Sequence, residues 1–275
     1  MSGLRITTIL FVSGCLHAGD PAPPTAEAIM VRVAENQDRA MKLRADYIYQ
    51  QHVVVATRRT NGKLARQEAA DYIVTPTPSG IEKTLQKLEG RYAQKGKTIE
   101  FQGEPVANRD SLDAGVIDGF RKGLLDDKSK DGLAHDLFPL TADDQKQYRF
   151  EVAGEQVIEG RKAYRIRFRP ADKDDITWAG EALIDAEEYQ PVSVYTKLSR
   201  RIPMAVRMLL GTDLPGLGFN VRYQRLDKDI WFPVSFGTEF RMHVLFFLNR
   251  DITVSSENSG FRRANVESKI QFTTP

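Results

Sequence analysis

The chain has 275 residues, 41% hydrophobic and 28% charged, with 39 Lys and Arg against 37 Asp and Glu for a formal charge of +2. That balance excludes a polybasic nucleic-acid binder, and the apolar share excludes a disordered chain. A mean hydropathy of −0.40 without a long charge-free apolar run excludes a bundle of membrane-spanning helices, and a single cysteine excludes an internal disulfide and an all-cysteine metal site.

Residues 1–24 read as a signal peptide and a proline-rich tether. Arg5 precedes the apolar run Ile6 to Val12, the order of a secretory n-region and h-region, and far short of a membrane span. Val12-Ser13-Gly14-Cys15 then resembles a bacterial lipobox, in which small residues precede a cysteine that is diacylated and becomes the new N-terminus. Cys15 is therefore the candidate lipidation site; an ordinary cut near Ala18 or Ala22, discarding Cys15, is the alternative. Both readings export the chain to the periplasm, and the first anchors it to the outer membrane. Asp20 to Pro24 (DPAPP) has the composition of a spacer between an anchor and a domain.

The spacing of Ile29, Met30, Val33, Ala40 and Met41 predicts a helix from an N-cap at Thr25 to about Arg44. Tyr47 to Thr60 reads as a strand, Asn61-Gly62 as a hairpin turn, and Lys63 to Thr75 as the return strand, stopped by Pro76. Further strands are expected over Ile81 to Tyr92 and Thr98 to Phe101, with turns at Gly90 and Gly96. A helical insert follows: Leu112, Val116, Phe120 and Leu124 step by four behind a Ser111 cap, then come an apolar patch at Leu133 to Phe138 and a last turn at Thr141 to Lys146.

From Tyr148 onward the pattern has period two. Tyr164, Ile166 and Phe168 alternate with Arg165, Arg167 and Arg169; Leu217, Phe219, Val221 and Tyr223 follow, then Ile230 to Phe236, Phe240 to Leu248, and Ala264 to Phe272. Strands apolar on one face belong to an antiparallel sheet, and about ten of them curl. The predicted fold is α+β: a large curled antiparallel sheet, an open half-barrel, with the N-terminal helix and the helical insert over its concave face. Residues 25–275 read as a single domain. One segment breaks the alternation. Ile202 to Gly218 is rich in Met and Leu and punctuated by Pro203 and Pro215, and reads either as a short buried helix or as a hydrophobic lid.

Motifs for chemistry fall short. Gly90 to Thr98 lacks phosphate-loop spacing, Asp127 to Gly132 meets Phe138 where a calcium loop needs a bidentate Glu, and no GxSxG elbow occurs. His17, His52, His135 and His243 form no metal-ligand spacing, and His52 and His243 read as structural. No catalytic residue, metal or cofactor is expected, so the chain reads as a non-enzyme. The Arg165, Arg167, Arg169 row reads as a solvated strand face, with anionic lipid headgroups as its alternative neighbour and no nucleic acid.

Several phrases carry a family resemblance: Ala163-Tyr164-Arg165-Ile166-Arg167-Phe168, Ala182-Leu183-Ile184-Asp185 followed by Tyr189-Gln190-Pro191-Val192, and Trp231-Phe232-Pro233-Val234. They resemble strands of the LolA/LolB superfamily of periplasmic lipoprotein carriers, to which the domain of the sensor RseB is similar. The resemblance implies an unclosed barrel holding acyl chains or a lipid-like ligand. The insert and Ile202 to Gly218 depart from the carriers, and no arginine matches the one a carrier uses at its lid. Candidate cavity-wall residues are Tyr164, Ile166, Phe168, Phe219, Val221, Tyr223, Phe240 and Met242, with Met204, Met208, Leu209 and Leu210 as candidate lid. The reading is thus a monomeric, non-catalytic envelope domain that binds a lipid, acyl chain or lipoprotein. Its rival is an envelope protein-interaction module, a stress sensor or assembly scaffold, with a fully packed core.

Overall fold

A computed structural model describes residues 23–78, 80–103, 111–123, 139–175, 177–200, 212–227, 230–244 and 248–264. Helix α1 spans Ala26–Arg44, and Thr25 caps it by accepting from the Ala28 N–H at 3.2 Å. Its buried stripe is Ala26, Ile29, Met30, Val33, Ala34, Gln37, Ala40 and Arg44, the i, i+3, i+4 rhythm of a helix laid on a core. Met41, expected on that stripe, is only half-buried, because two polar residues take the last turns of the face.

The strands are β1 (Tyr47–Arg58), β2 (Leu64–Thr77), β3 (Gly80–Gln94), β4 (Lys97–Gln102), β5 (Tyr148–Ile158), β6 (Arg161–Pro170), β7 (Trp178–Asp185), β8 (Pro191–Leu198), β9 (Thr212–Asp213), β10 (Gly218–Asp227), β11 (Ile230–Val244) and β12 (Leu248–Arg263). Helices α2 (Leu112–Gly123) and α3 (Ala142–Gln145) lie between β4 and β5. Among the described residues one antiparallel sheet runs β4-β3-β2-β1-β12-β11-β10-β8-β7-β6-β5, with β9 pairing β11 off that path. The first four strands meander one way, the rest meander back, and β1 against β12 joins the halves. The sheet is open, and its two edges, β4 and β5, are consecutive in the chain. Helices α2 and α3, which come between these edges in the chain, pack over the inner face, α2 on β1 and β2 and α3 on β5 and α1. No helix among the described residues is long and apolar enough to cross a membrane.

Inner-face positions alternate as a half-buried sheet requires: Tyr47, Tyr49, Gln51, Val53, Val55 and Thr57 on β1 point inward, whereas Gln50 and His52 point out. Two apolar clusters result. The larger lies under the helices; the smaller gathers Tyr47, Tyr49, Val74, Ile81, Ile230 and Phe232, with ring centroids 5.2 Å apart for Tyr49–Phe232 and 4.5 Å for Phe232–Phe261. A polar rung accompanies them: Gln51 Nε2 donates to Asn258 Oδ1 at 3.1 Å, and Asn258 Nδ2 to the Pro233 carbonyl at 2.9 Å.

Several expectations need correction. Pro76 lies inside β2, opposite Ile81; the β1–β2 pairing has already ended at Tyr49–Val74, so the missing N–H costs no rung with β1. Gly90 sits in mid-β3 rather than at a turn, because a side chain there would collide with the Phe101 ring and the Gln67 carbonyl; the ring lies over the bare backbone. Leu112 does not face the core and is 66% exposed; Ala114 and Ile117 are the buried positions of α2, with Val116 and Phe120 partly buried against the larger cluster. The run Phe240 to Leu248 is two strands, since Val244 pairs with Leu248 across a chain reversal that no Gly or Pro announces. His243 Nε2 is buried with no hydrogen-bond partner among the described residues, whereas the exposed His52 Nδ1 is 2.6 Å from Asp71 Oδ1. The patch 133–138, Leu124, His135 and the strand expected near 265–272 lie outside the described residues.

Gly180 is the tightest point of the sheet: a Cβ there would overlap the Tyr195 carbonyl and approach Phe168 Cζ within 2.9 Å. Gly180→Ala is therefore expected to cost about 1–3 kcal/mol, through strain between β7 and β8. Urea unfolding with an unchanged m-value checks this.

Candidate ligand cradle

The inner face of β6, β7, β8, β10, β11, β12 and β1 is a continuous apolar floor. All eight candidate wall residues lie in one cluster on it, each 0–8% exposed: Tyr164, Ile166, Phe168, Phe219, Val221, Tyr223, Phe240 and Met242. Their strand positions explain this, because each occupies the inward phase of its strand and ladder partners share a face: Ile166 pairs with Ala182, and Val221 with Val194 and Phe236. Above the floor sit Ile29, Met30 and Val33 of α1, Ile117 of α2 and Leu140 before α3. Phe120 of α2 meets Phe240 edge-on at 5.2 Å across the two layers, and within the floor Phe219 stacks on Phe236 at 5.4 Å and Trp178 meets Phe219 at 5.1 Å. The candidate lid residues Met204, Met208, Leu209 and Leu210, and the candidate lipidation site Cys15, lie outside the described residues.

Two sets of charged contacts fasten the cover, and the sequence reading anticipated neither. Under α2, Arg250 grips Asp113 through Nε at 2.7 Å and a terminal nitrogen at 2.9 Å, and Thr57 Oγ1 donates to the same carboxylate at 2.9 Å. Burial raises the Asp113 carboxyl, but the bonds from Arg250 and Thr57 outweigh it and hold the group below its ordinary value. Beside it Glu68 of β2 takes Arg66 Nε at 2.7 Å on one oxygen and Arg121 of α2 at 3.2 Å on the other. The Arg66 guanidinium also lies 5.1 Å from the Phe101 ring centroid and 5.6 Å from that of Tyr92. The signal was in the sequence: Arg66 and Glu68 share the inward phase of β2 with Ala70. A charged pair in an inward phase marks a paired, buried site rather than a solvated face.

The second set holds α1 against the β7–β8 turn. Arg161 binds Asp185 at 2.6 and 2.9 Å, and Asp185 Oδ1 also accepts the backbone N–H groups of Glu187 and Glu188 at 3.0 and 2.7 Å. Tyr189 closes this turn with φ 51° and donates its N–H to the Asp185 carbonyl at 2.9 Å, while Arg32 of α1 lies over its ring at 4.7 Å. Asn36 donates to the Glu188 carbonyl at 2.7 Å, Gln37 Nε2 to Gln190 Oε1 at 2.8 Å, and Arg44 to the Trp231 carbonyl at 3.0 Å. Trp231 Nε1 in turn donates to Glu188 Oε2 at 2.6 Å. The Asp-turn phrase noted in the sequence is thus the socket for α1.

The arrangement is one of enclosure: an apolar floor, an apolar cover, and charged fasteners at the rim. Among the described residues no three His, Cys, Asp or Glu side chains come together as metal ligands.

No family model matches the chain, and no curated protein matches it. Among solved structures it is similar to a DUF1329 family protein from Desulfovibrio piger, at 9% identity over 88% of this chain and 95% of that one, with a TM-score of 0.36. A LolA superfamily protein from Nitrosomonas europaea is similar at 13% identity over 92% and 99%, TM-score 0.35. The Mycobacterium tuberculosis lipoprotein LppX is similar at 14% identity over 88% and 99%, TM-score 0.26.

Proposed function

We propose that this chain is a non-catalytic cell-envelope domain that holds an acyl chain or another hydrophobic ligand between the inner face of its sheet and the helices above it. One observation carries the reading: helices α2 and α3, which come between the two edge strands in the chain, pack over the apolar floor, and α2 is tied to the sheet by ion pairs rather than built into it. Such a cover can part from the floor without breaking a ladder. Affinity would come from apolar area removed from water, at about 25 cal/mol per Å². In this reading Tyr164, Ile166, Phe168, Phe219, Val221, Tyr223, Phe240 and Met242 form the wall, with Met204, Met208, Leu209 and Leu210 as lid. Residues 1–24 direct export and supply a lipid anchor at Cys15, a role that rests on the Val12 to Cys15 motif.

A second reading has its own support. The wall residues are packed against one another in this state, as they would be in a protein-interaction module whose surface does the work.

Titration with a fluorescent fatty acid separates the two. Saturable one-to-one uptake is expected, and Phe120→Gln, at a half-buried cover position, should weaken it about tenfold by removing one ring from the apolar contact. Absence of saturable uptake by the folded protein abandons the first reading and leaves the second.

A further inference from the structure

The outer face of β5 to β8 carries a groove of about 650 Å³, lined chiefly by outward side chains of these strands. A twisted sheet is saddle-shaped, so its outward side is hollow along one diagonal. Outward residues place four cations in that hollow, Arg149, Arg167, Arg169 and Lys197, against two carboxylates, Glu151 and Glu181. Arg149 stands opposite Arg169, and Lys197 lies across from Ala179. One rung further Glu151, Arg167, Glu181 and Tyr195 follow one another across four strands. Of these cations only Arg167 has a carboxylate within reach among the described residues, Glu181 at 3.6 Å. In the adjoining β6–β7 loop, Asp174 is taken by Arg200 at 2.7 Å and Asp172 accepts the Asp174 N–H at 2.8 Å. Like charges directly opposite each other in a ladder are destabilising, and Arg149 facing Arg169 bears that cost in the isolated protein.

We propose that this outer face docks on anionic phospholipid headgroups of a membrane. Charge complementarity is the first ground. The second is where the chain begins. Gln145 of α3 donates to the Met30 carbonyl at 3.0 Å, and α3 leads directly into β5 and Arg149. The first turns of α1 therefore lie against α3 and β5, at the end of the sheet that carries Arg149. Cys15 precedes Thr25 by ten residues, an extended reach of about 33–36 Å. Tyr195, 52% exposed within the groove, supplies an aromatic ring of the kind that settles at a membrane interface. The orientation draws on the anchoring role given to Cys15, while the docking itself does not depend on it or on ligand uptake.

The test uses the full chain with Cys15→Ala, which cannot be acylated, in flotation with phosphatidylcholine vesicles containing or lacking phosphatidylglycerol. Binding only to the anionic vesicles, reversed by salt, is expected. Adding Arg149→Gln and Arg169→Gln should lower the partition constant about 25-fold, and Lys197→Gln alone about fivefold. Lys87→Gln, on the outer side of β3 in the other half of the sheet, should leave it unchanged. Circular dichroism confirms that each variant is folded; if the double variant is not, the Lys197 variant decides. Equal binding to both vesicles, an equal loss with Lys87→Gln, or capture of an acidic peptide without vesicle binding overturns the proposal. Because it reads headgroup charge and not uptake, its failure leaves the fatty-acid titration standing.

Discussion

Glu68→Ala is expected to destabilise the protein by about 3–5 kcal/mol, the range for removing one partner of a buried ion pair. The Arg66 and Glu68 side chains are 2% and 8% exposed, and Glu68 spends its second oxygen on Arg121 of the cover. Alanine removes the carboxylate from between two guanidinium groups and leaves a void beneath α2. The comparison that gives the number meaning is Glu89→Ala. Its pair with Lys87 is equally short, at 2.8 Å, but both groups are exposed, so a change within about 0.5 kcal/mol is expected. Urea midpoints for the two variants check this, and equal midpoints would remove the buried fastener from the account.

Asp185→Ala should cost about 2–4 kcal/mol, since it removes a bidentate pair with Arg161 and two backbone bonds that shape the β7–β8 turn. The same carboxylate gives a pH signature. Burial pushes the Asp185 carboxyl up, but the bonds from Arg161 and from the N–H groups of Glu188 and Glu187 prevail and hold it below the ordinary carboxylate range. A group depressed in the folded state contributes stability above its unfolded value, near 3.9, and loses it as pH falls through the folded value. Asp113, lowered in the same direction, adds to the effect. The melting temperature should therefore be level between about pH 5 and 7 and fall as the pH is taken toward about 2. Asp185→Asn combined with Asp113→Asn should flatten that acid limb; an unchanged slope would mean that other carboxylates govern it.

How far the sequence discloses the molecule depends on which signal each element carries. Helix α1 was legible from a cap and a 3.6-residue stripe, and β6, β10 and β11 from clean alternation, so the wall residues fall together as their phase requires. β12 was not read, although it is the strand that joins the two halves. Its inward phase runs Ile252, Val254, Ser256, Asn258; the last two are buried polar residues, and Asn258 is satisfied by Gln51 and the Pro233 carbonyl, tertiary partners that periodicity cannot see. Gly90 misled for a related reason, because the glycine answers a ring eleven residues downstream rather than a turn. The fasteners of the cradle were missed altogether. Asp113–Arg250 and Glu68–Arg121 join residues far apart in the chain, and only the crossing of the insert over the sheet brings them together. The outer arginines were visible as a row, but their opposition to Arg149 depends on the β5–β6 register.

The central claim is that a hydrophobic ligand lies between the cover and the inner face. A fatty acid bearing a photoreactive diazirine at its tail, crosslinked to the protein and mapped by peptide mass spectrometry, tests this most directly. The account predicts saturable labelling of α2 around Phe120 and of β11 around Phe240 and Met242, competed by unlabelled fatty acid. Labelling confined to the outer groove around Tyr195, or no saturable labelling, would contradict it.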